Sequence, residues 1–241
     1  MELFKDLPAE GVLFPYLSKV RAGDRATEFG QRCRRLEING DLFWANIDNY
    51  QTTVRDRVLL ASYLANAKSA RTRGAEIEVR WAALDGLHLD AAVAYDEATF
   101  TSFHSAPCGA EWTGIATSCD LTGRPISGAP RWSGAAQVEY RRGLIRNLEA
   151  TGGIEYTFRS GSYYGTDDSA YSLIDGYGLV NIHLNVSPPS EGCQIALWVR
   201  NVVDKEYFAA LSSLAGVFGS GYVAGIIGDP RTYGATLRLR F

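Results

Sequence analysis

The final ten residues, Thr232-Tyr233-Gly234-Ala235-Thr236-Leu237-Arg238-Leu239-Arg240-Phe241, alternate in polarity from end to end. The odd positions are Tyr, Ala, Leu, Leu and Phe, and the even ones Thr, Gly, Thr, Arg and Arg. Successive side chains of a strand point to opposite faces, so this stretch reads as a β-strand with one apolar and one polar face. The same period of two recurs upstream. Ile174, Val180, Ile182, Leu184 and Val186 stand against Asn181, His183 and Asn185. Segment 148–159 sets Leu148, Ala150, Ile154, Tyr156 and Phe158 against Glu149, Thr151, Glu155, Thr157 and Arg159. Trp132, Ala136, Val138 and Tyr140 oppose Ser133, Gln137, Glu139 and Arg141; Leu87, Leu89, Ala91, Val93 and Tyr95 oppose His88, Asp90 and Asp96; Ala75, Ile77, Val79 and Trp81 oppose Thr72, Glu76, Glu78 and Arg80. With weaker strands at 36–53 and 193–203, about eight strands result.

Aromatic residues close the apolar faces at one or both ends, as in Trp132 to Tyr140 and Tyr233 to Phe241. Eight tilted strand residues climb about 20 Å, close to the apolar band of an outer-membrane barrel between its aromatic girdles. The connections also alternate. Leu84-Asp85-Gly86, Gly143-Leu144-Ile145 and Pro188-Pro189-Ser190-Glu191-Gly192 are short, whereas 54–70, 103–129, 160–172 and 204–230 are long. Short periplasmic turns and long outer loops are the rule for membrane barrels, and that rule puts Phe241 at the periplasmic rim. A soluble sandwich or lipocalin-like barrel also alternates, but it turns its apolar face inward and has no reason for girdles or one-sided loops. The fold class is therefore all-β, an antiparallel transmembrane β-barrel segment.

Composition narrows the function classes. The 241 residues carry 46% hydrophobic side chains and a net charge of -3 with both signs interspersed. Without a basic stripe the footprint of a nucleic-acid-binding protein is missing. No run reaches the length of a membrane helix, and Met1-Glu2-Leu3-Phe4-Lys5-Asp6 is not the basic start of a signal peptide. That start counts against a complete exported protein.

Three stretches in order then carry a family resemblance: Val199-Arg200-Asn201-Val202-Val203-Asp204-Lys205-Glu206-Tyr207-Phe208, Gly228-Asp229-Pro230-Arg231-Thr232-Tyr233-Gly234, and Leu237-Arg238-Leu239-Arg240-Phe241. They resemble the C-terminal end of TonB-dependent outer-membrane receptors. Similar pieces lie at Arg71–Glu78 and Gly128–Trp132, and Thr27-Glu28-Phe29-Gly30 looks like the start of another family strand. The resemblance covers 27–241 and leaves 1–26 unplaced. It implies a barrel of about 22 strands filled by an N-terminal plug that contacts the TonB complex. This chain holds about the last eight strands and no plug, which reads as a truncated product, a fragment or one piece of a larger barrel, not transport-competent alone. The implied role is active uptake of a scarce nutrient of the ferric siderophore, cobalamin or oligosaccharide class, across the bacterial cell outer membrane. A reading from another class is a self-contained eight-stranded barrel with a structural or adhesive role, since eight strands suffice to close a small barrel.

Specific chemistry is sparse. Cys108 and Cys119 flank a loop on the expected outside and form the disulfide candidate; two unpaired thiols and a weak metal pair are the competing readings. Cys33 and Cys193 read as small strand residues. His88, His104 and His183 are too scattered to ligate a metal, and Asp167-Asp168 with Asp175 lacks the calcium-loop spacing and reads as a solvated loop. No nucleophile elbow, metalloprotease or phosphate-loop motif occurs, so no catalytic residue, metal or cofactor is expected, and the chain does not read as an enzyme. Tyr233, Leu237, Leu239 and Phe241 together resemble the signal read by the barrel-assembly machinery, a recognition that strand pairing at an edge would provide. Outer-membrane lipid is the other expected partner, TonB is reached only through the plug, and no residue betrays the ligand.

Overall fold

The computed structural model describes residues 36–55, 62–112, 115–116, 118–144, 148–188, 193–213 and 223–240. Its strands are β1 (Leu36–Arg55), β2 (Ser62–Leu84), β3 (Leu87–Ser102), β4 (Trp132–Gly143), β5 (Glu149–Arg159), β6 (Ser162–Tyr163), β7 (Leu173–Ile174), β8 (Tyr177–Ser187), β9 (Cys193–Arg200), β10 (Phe208–Ser213), β11 (Val223–Ile227) and β12 (Thr232–Leu239). Eight of them form one sheet in the order β1-β2-β3-β4-β5-β8-β9-β12, each antiparallel to its neighbour. The remaining four make two small hairpin sheets, β6–β7 and β10–β11, inside the long connections. All eight strands expected from alternation are present in this wall.

Register turns strand alternation into two continuous faces. One row runs Leu89, Val138, Ile154, Ile182, Val199, Tyr233 across six strands; a second runs Ile38, Val79, Ala91, Ala136, Tyr156, Val180. On the opposite face Glu37, Arg80, Asp90, Gln137, Glu155 and Asn181 stand side by side. The apolar rows are open to their surroundings: Leu42 is 60% exposed, Ile154 51% and Leu237 62%. A soluble sheet buries such residues, and a contiguous apolar surface this wide needs a nonaqueous neighbour. Cys193 lies on this face opposite Leu239 and is a free thiol.

The turn at Asp85–Gly86 is tight because Gly86 adopts φ 80°, which a side chain disfavours. Gly74 serves a different need. A Cβ there would fall 1.9 Å from the Tyr95 carbonyl oxygen and 2.5 Å from the Phe43 ring, so only glycine lets the ring lie over the strand.

Besides the earlier end of β9 at Arg200, two boundaries differ from the sequence reading. The connection expected over 54–70 is largely strand, since β1 runs on to Arg55 and β2 begins at Ser62. The reason is a second, small core. At Asn49, held at φ 54°, the alternation of β1 is broken; beyond it Tyr50 and Val54 pack with Ala67, Ala70, Phe100, Phe103, Ala106 and Leu121. A run rich in alanine shows no polarity contrast along the chain and reads as a loop, yet alanine is what fits beneath Phe100. The other difference is Ile174, which is buried in β7 and stands apart from the wall strand that starts at Tyr177.

Candidate functional site

The long connections share one end of the wall and fold onto one another. The β3–β4 connection packs Phe103, Ala106 and Leu121 into the small core, and Cys108 and Cys119 are joined across it with their Cα atoms 5.0 Å apart. Ala106 and Cys119 also exchange backbone hydrogen bonds of 3.0 and 2.9 Å. Next to this staple, Asp120 accepts from the Thr122 amide at 2.9 Å and faces His104 at 2.9 Å. The Thr122 hydroxyl and amide, with His104, hold the Asp120 carboxyl down at about 2.

The β3–β4 connection is bound to the β5–β8 connection. The Ala170 amide donates to Glu111 Oε1 at 2.6 Å, the Gly128 amide to the Tyr163 carbonyl at 2.7 Å, and Arg124 pairs with Asp168. Asp168 is not the solvated residue that its sequence context suggests. Its side chain is 3% exposed, with Ser169 and Ser172 buried beside it. Burial pushes its carboxyl above the ordinary range, and the Arg124 guanidinium opposes that shift. Because the folded-state value is raised, the ionised carboxylate costs stability at neutral pH, and the cost is relieved as pH falls through the raised value. Asp168→Asn is therefore expected to slow amide exchange at 169–172 near pH 7, with the difference from wild type shrinking toward pH 4.

On its far side the β5–β8 connection meets the β9–β12 connection. Tyr177 and Tyr207 pack with ring centroids 4.2 Å apart and planes tilted by 32°, and Arg159 lies 5.9 Å over the Tyr177 ring while donating to Ser162. Between the two connections opens a cavity of about 670 Å³, with Leu173, Tyr177, Tyr207, Phe208, Leu211 and Ile227 in its wall and Asp175, Lys205 and Glu206 at its charged positions. That volume suits a small organic ligand.

The cavity's base is a clasp made of the first two of the three quoted motifs. Asn201, 4% exposed and at φ 48°, donates through Nδ2 to the carbonyls of Lys205 (2.9 Å) and Asp229 (3.0 Å), and its Oδ1 accepts the Lys205 amide (2.8 Å). Its own amide donates to Asn181 Oδ1 at 3.0 Å. Asp204 in turn accepts the Arg231 amide at 2.8 Å. This clasp ends β9 at Arg200, three residues before the end expected from sequence. Asn201→Asp is expected to place a carboxylate against two carbonyls, at a cost of about 1–3 kcal/mol for the lost buried bonds, read as a lower urea midpoint. Asn201→Ser, which keeps a donor, should cost less.

The polar face carries a row of paired charges. Glu139 lies 3.9 Å from His183 Nε2 and 4.0 Å from Arg141, which also pairs with Glu149 at 3.3 Å. Trp198, opposite both His183 and Gly234, donates to Thr236 at 3.3 Å and lies under Arg200. Of the proposed insertion residues, Tyr233, Leu237 and Leu239 are exposed on the apolar face of β12. Phe241, Cys33 and the stretch Thr27–Arg35 lie outside the described residues.

An antiparallel wall with lipid-type rows on one face, paired charges on the other and its long connections at one end defines a β-barrel wall of an outer membrane. The family model for the TonB dependent receptor-like β-barrel matches residues 26–202, and the chain belongs to that family, in the outer membrane of Gram-negative bacteria. Solved structures agree on the fold. The ferric yersiniabactin uptake receptor FyuA from Yersinia pestis superposes with a TM-score of 0.66 at 17% identity, over 88% of this chain and 28% of that one. The ferric preacinetobactin receptor BauA from Acinetobacter baumannii gives 0.56 at 14%, over 84% and 27%. The copper transporter OprC gives 0.60 at 14%, over 88% and 29%. The chain thus spans less than a third of each of these structures.

Neither the clasp nor the cavity was read from sequence. Asn201 stood within a quoted motif, but its role depends on Asp229, 28 residues away.

Proposed function

We propose that this chain is the C-terminal wall of a receptor for active uptake of a scarce nutrient, working as part of a larger barrel and not transport-competent by itself. The family match over residues 26–202 carries the reading. It is supported by the cavity at the loop end, lined by Tyr177 and Tyr207, which on the loop-length rule opens toward the outside. The cargo class is a ferric siderophore, cobalamin or an oligosaccharide; the compared FyuA is described as a ferric yersiniabactin uptake receptor, BauA as a ferric preacinetobactin receptor and OprC as a copper transporter. In this reading TonB acts through a plug domain, and the terminal strand with Tyr233, Leu237, Leu239 and Phe241 is recognised by the barrel-assembly machinery. The test is uptake under limitation of radiolabelled iron supplied as defined ferric siderophores, of cobalamin or of labelled oligosaccharide, by cells that produce this wall within an intact receptor and by cells that lack it. Gene-dependent, TonB-dependent accumulation of one cargo supports the reading; accumulation identical in both strains for every cargo overturns it.

The cap joined by Cys108–Cys119 is expected to loosen by itself when that bond is removed. Cys108→Ser/Cys119→Ser should expose 104–129 to added protease on intact cells, while the wall strands stay protected and heat-modifiable. Cleavage no faster than in wild type would show that the small core alone holds the connection.

A further inference from the structure

The apolar face ends in a sharply built step. Leu42, Ala75, Tyr95 and Trp132 lie side by side across four strands, and the Tyr95 and Trp132 rings touch with centroids 4.9 Å apart. One residue pair further toward the loop end, about 7 Å along the strands, the row becomes Trp44, Arg73, Glu97, and the next becomes Asn46, Arg71, Thr99. The two guanidinium groups sit over one indole: Arg71 is 4.9 Å and Arg73 5.4 Å from the centre of the Trp44 ring. Arg71 donates through Nε to the neutral Asn46 at 3.1 Å, which among the described residues leaves its two terminal nitrogens for another acceptor. Arg73 is braced by Glu97 at 2.7 Å and keeps 44% of its side chain exposed. Among the described residues Asp48, opposite Ser69, is the other acidic residue of this face, and Lys68 is exposed beside it.

We propose that Trp44, Arg71 and Arg73 form a binding site for the phosphate of a phosphorylated glycolipid headgroup in the outer leaflet. The height decides the occupant. The site continues the lipid-facing rows and lies directly above the aromatic step, where acyl chains give way to headgroups. Guanidinium forks match phosphate oxygens in pairs, and an indole that orients two of them beforehand reduces the ordering cost of binding. The site faces away from the cavity and the polar face, so it does not depend on which cargo the receptor takes.

The experiment compares wild-type protein extracted from outer membranes in mild detergent with Arg71→Gln/Arg73→Gln, counting bound bisphosphorylated lipid A by native mass spectrometry. Retention is expected to fall about tenfold or more in the double variant, with the heat-modifiable folded band unchanged and part of the loss restored in Arg71→Lys/Arg73→Lys. Equal retention overturns the proposal. Should the double variant fail to fold, wild-type protein in phosphatidylcholine vesicles doped with bisphosphorylated or dephosphorylated lipid A decides the matter. Preferential retention of the phosphorylated form, not displaced by millimolar inorganic phosphate, is the expected result. Equal retention of both lipids, or displacement by free phosphate, overturns it.

Discussion

Phe100→Ala is expected to release the β3–β4 connection from the wall while leaving the membrane-facing sheet in place. Phe100 is 2% exposed and is one of the two phenylalanines of the small core. Its ring meets Tyr50 at 5.9 Å and Phe103 at 5.0 Å, and its backbone amide donates to the Arg124 carbonyl at 3.0 Å. Truncating a fully buried phenylalanine costs about 3–5 kcal/mol in transfer and cavity terms. The alanines beneath it, Ala67 and Ala70, cannot swell to fill the space. The loss falls on the cap, because that is where the core sits: Arg124 pairs with Asp168, and through it the loss reaches the β5–β8 connection. Amide exchange across 103–131 should rise together with that of 162–174, whereas the amides of β4, β5 and β8 stay protected. Phe100→Leu, which preserves most of the volume, should lose under half as much. Unchanged exchange in the alanine variant would show that the cap is held by its hydrogen bonds and disulfide, with the core contributing little.

Ile154→Arg is expected to prevent stable insertion of the wall. Ile154 lies in the middle of the row from Leu89 to Tyr233, two strands from the first and three from the second, and is 51% exposed on the apolar face. An arginine at the bilayer midplane of a barrel costs about 2–4 kcal/mol, falling toward zero at the interface. The adjacent positions supply the control. Thr157, on the polar face of the same strand between Glu155 and Arg159, should accept arginine with a change well under about 1 kcal/mol, because that face turns away from the lipid. The readout is the heat-modifiable band in cold gels and the urea midpoint in vesicles. Equal losses at 154 and 157 would mean that the two faces had been assigned the wrong way round.

The wall was legible because both of its determinants are local. Alternation needs only successive residues, and the eight strand positions follow from it; the short turn at Asp85–Gly86 announces itself by its glycine. The cap was not legible for the opposite reason. Asp168 looks solvated in its sequence context, and its burial comes from Arg124, 44 positions earlier in the chain, and from serines that have no hydrophobic signature. The alanines of β2 read as a connection because their role is to be small under a ring on another strand. Tyr177 and Tyr207 are unremarkable tyrosines until two connections bring them within 4.2 Å.

By itself, then, the order of residues determined which segments are strands, which face of each is apolar, and that the apolar face is meant for lipid, since each of these is a property of side chains one or two positions apart. Only the tertiary structure decided that Asn201 ties two distant motifs into one clasp, that the long connections form a shared cap around a cavity, and that Arg71 and Arg73 share one indole at the rim. Those arrangements depend on cross-strand register and on contacts between connections, and neither leaves a period in the sequence.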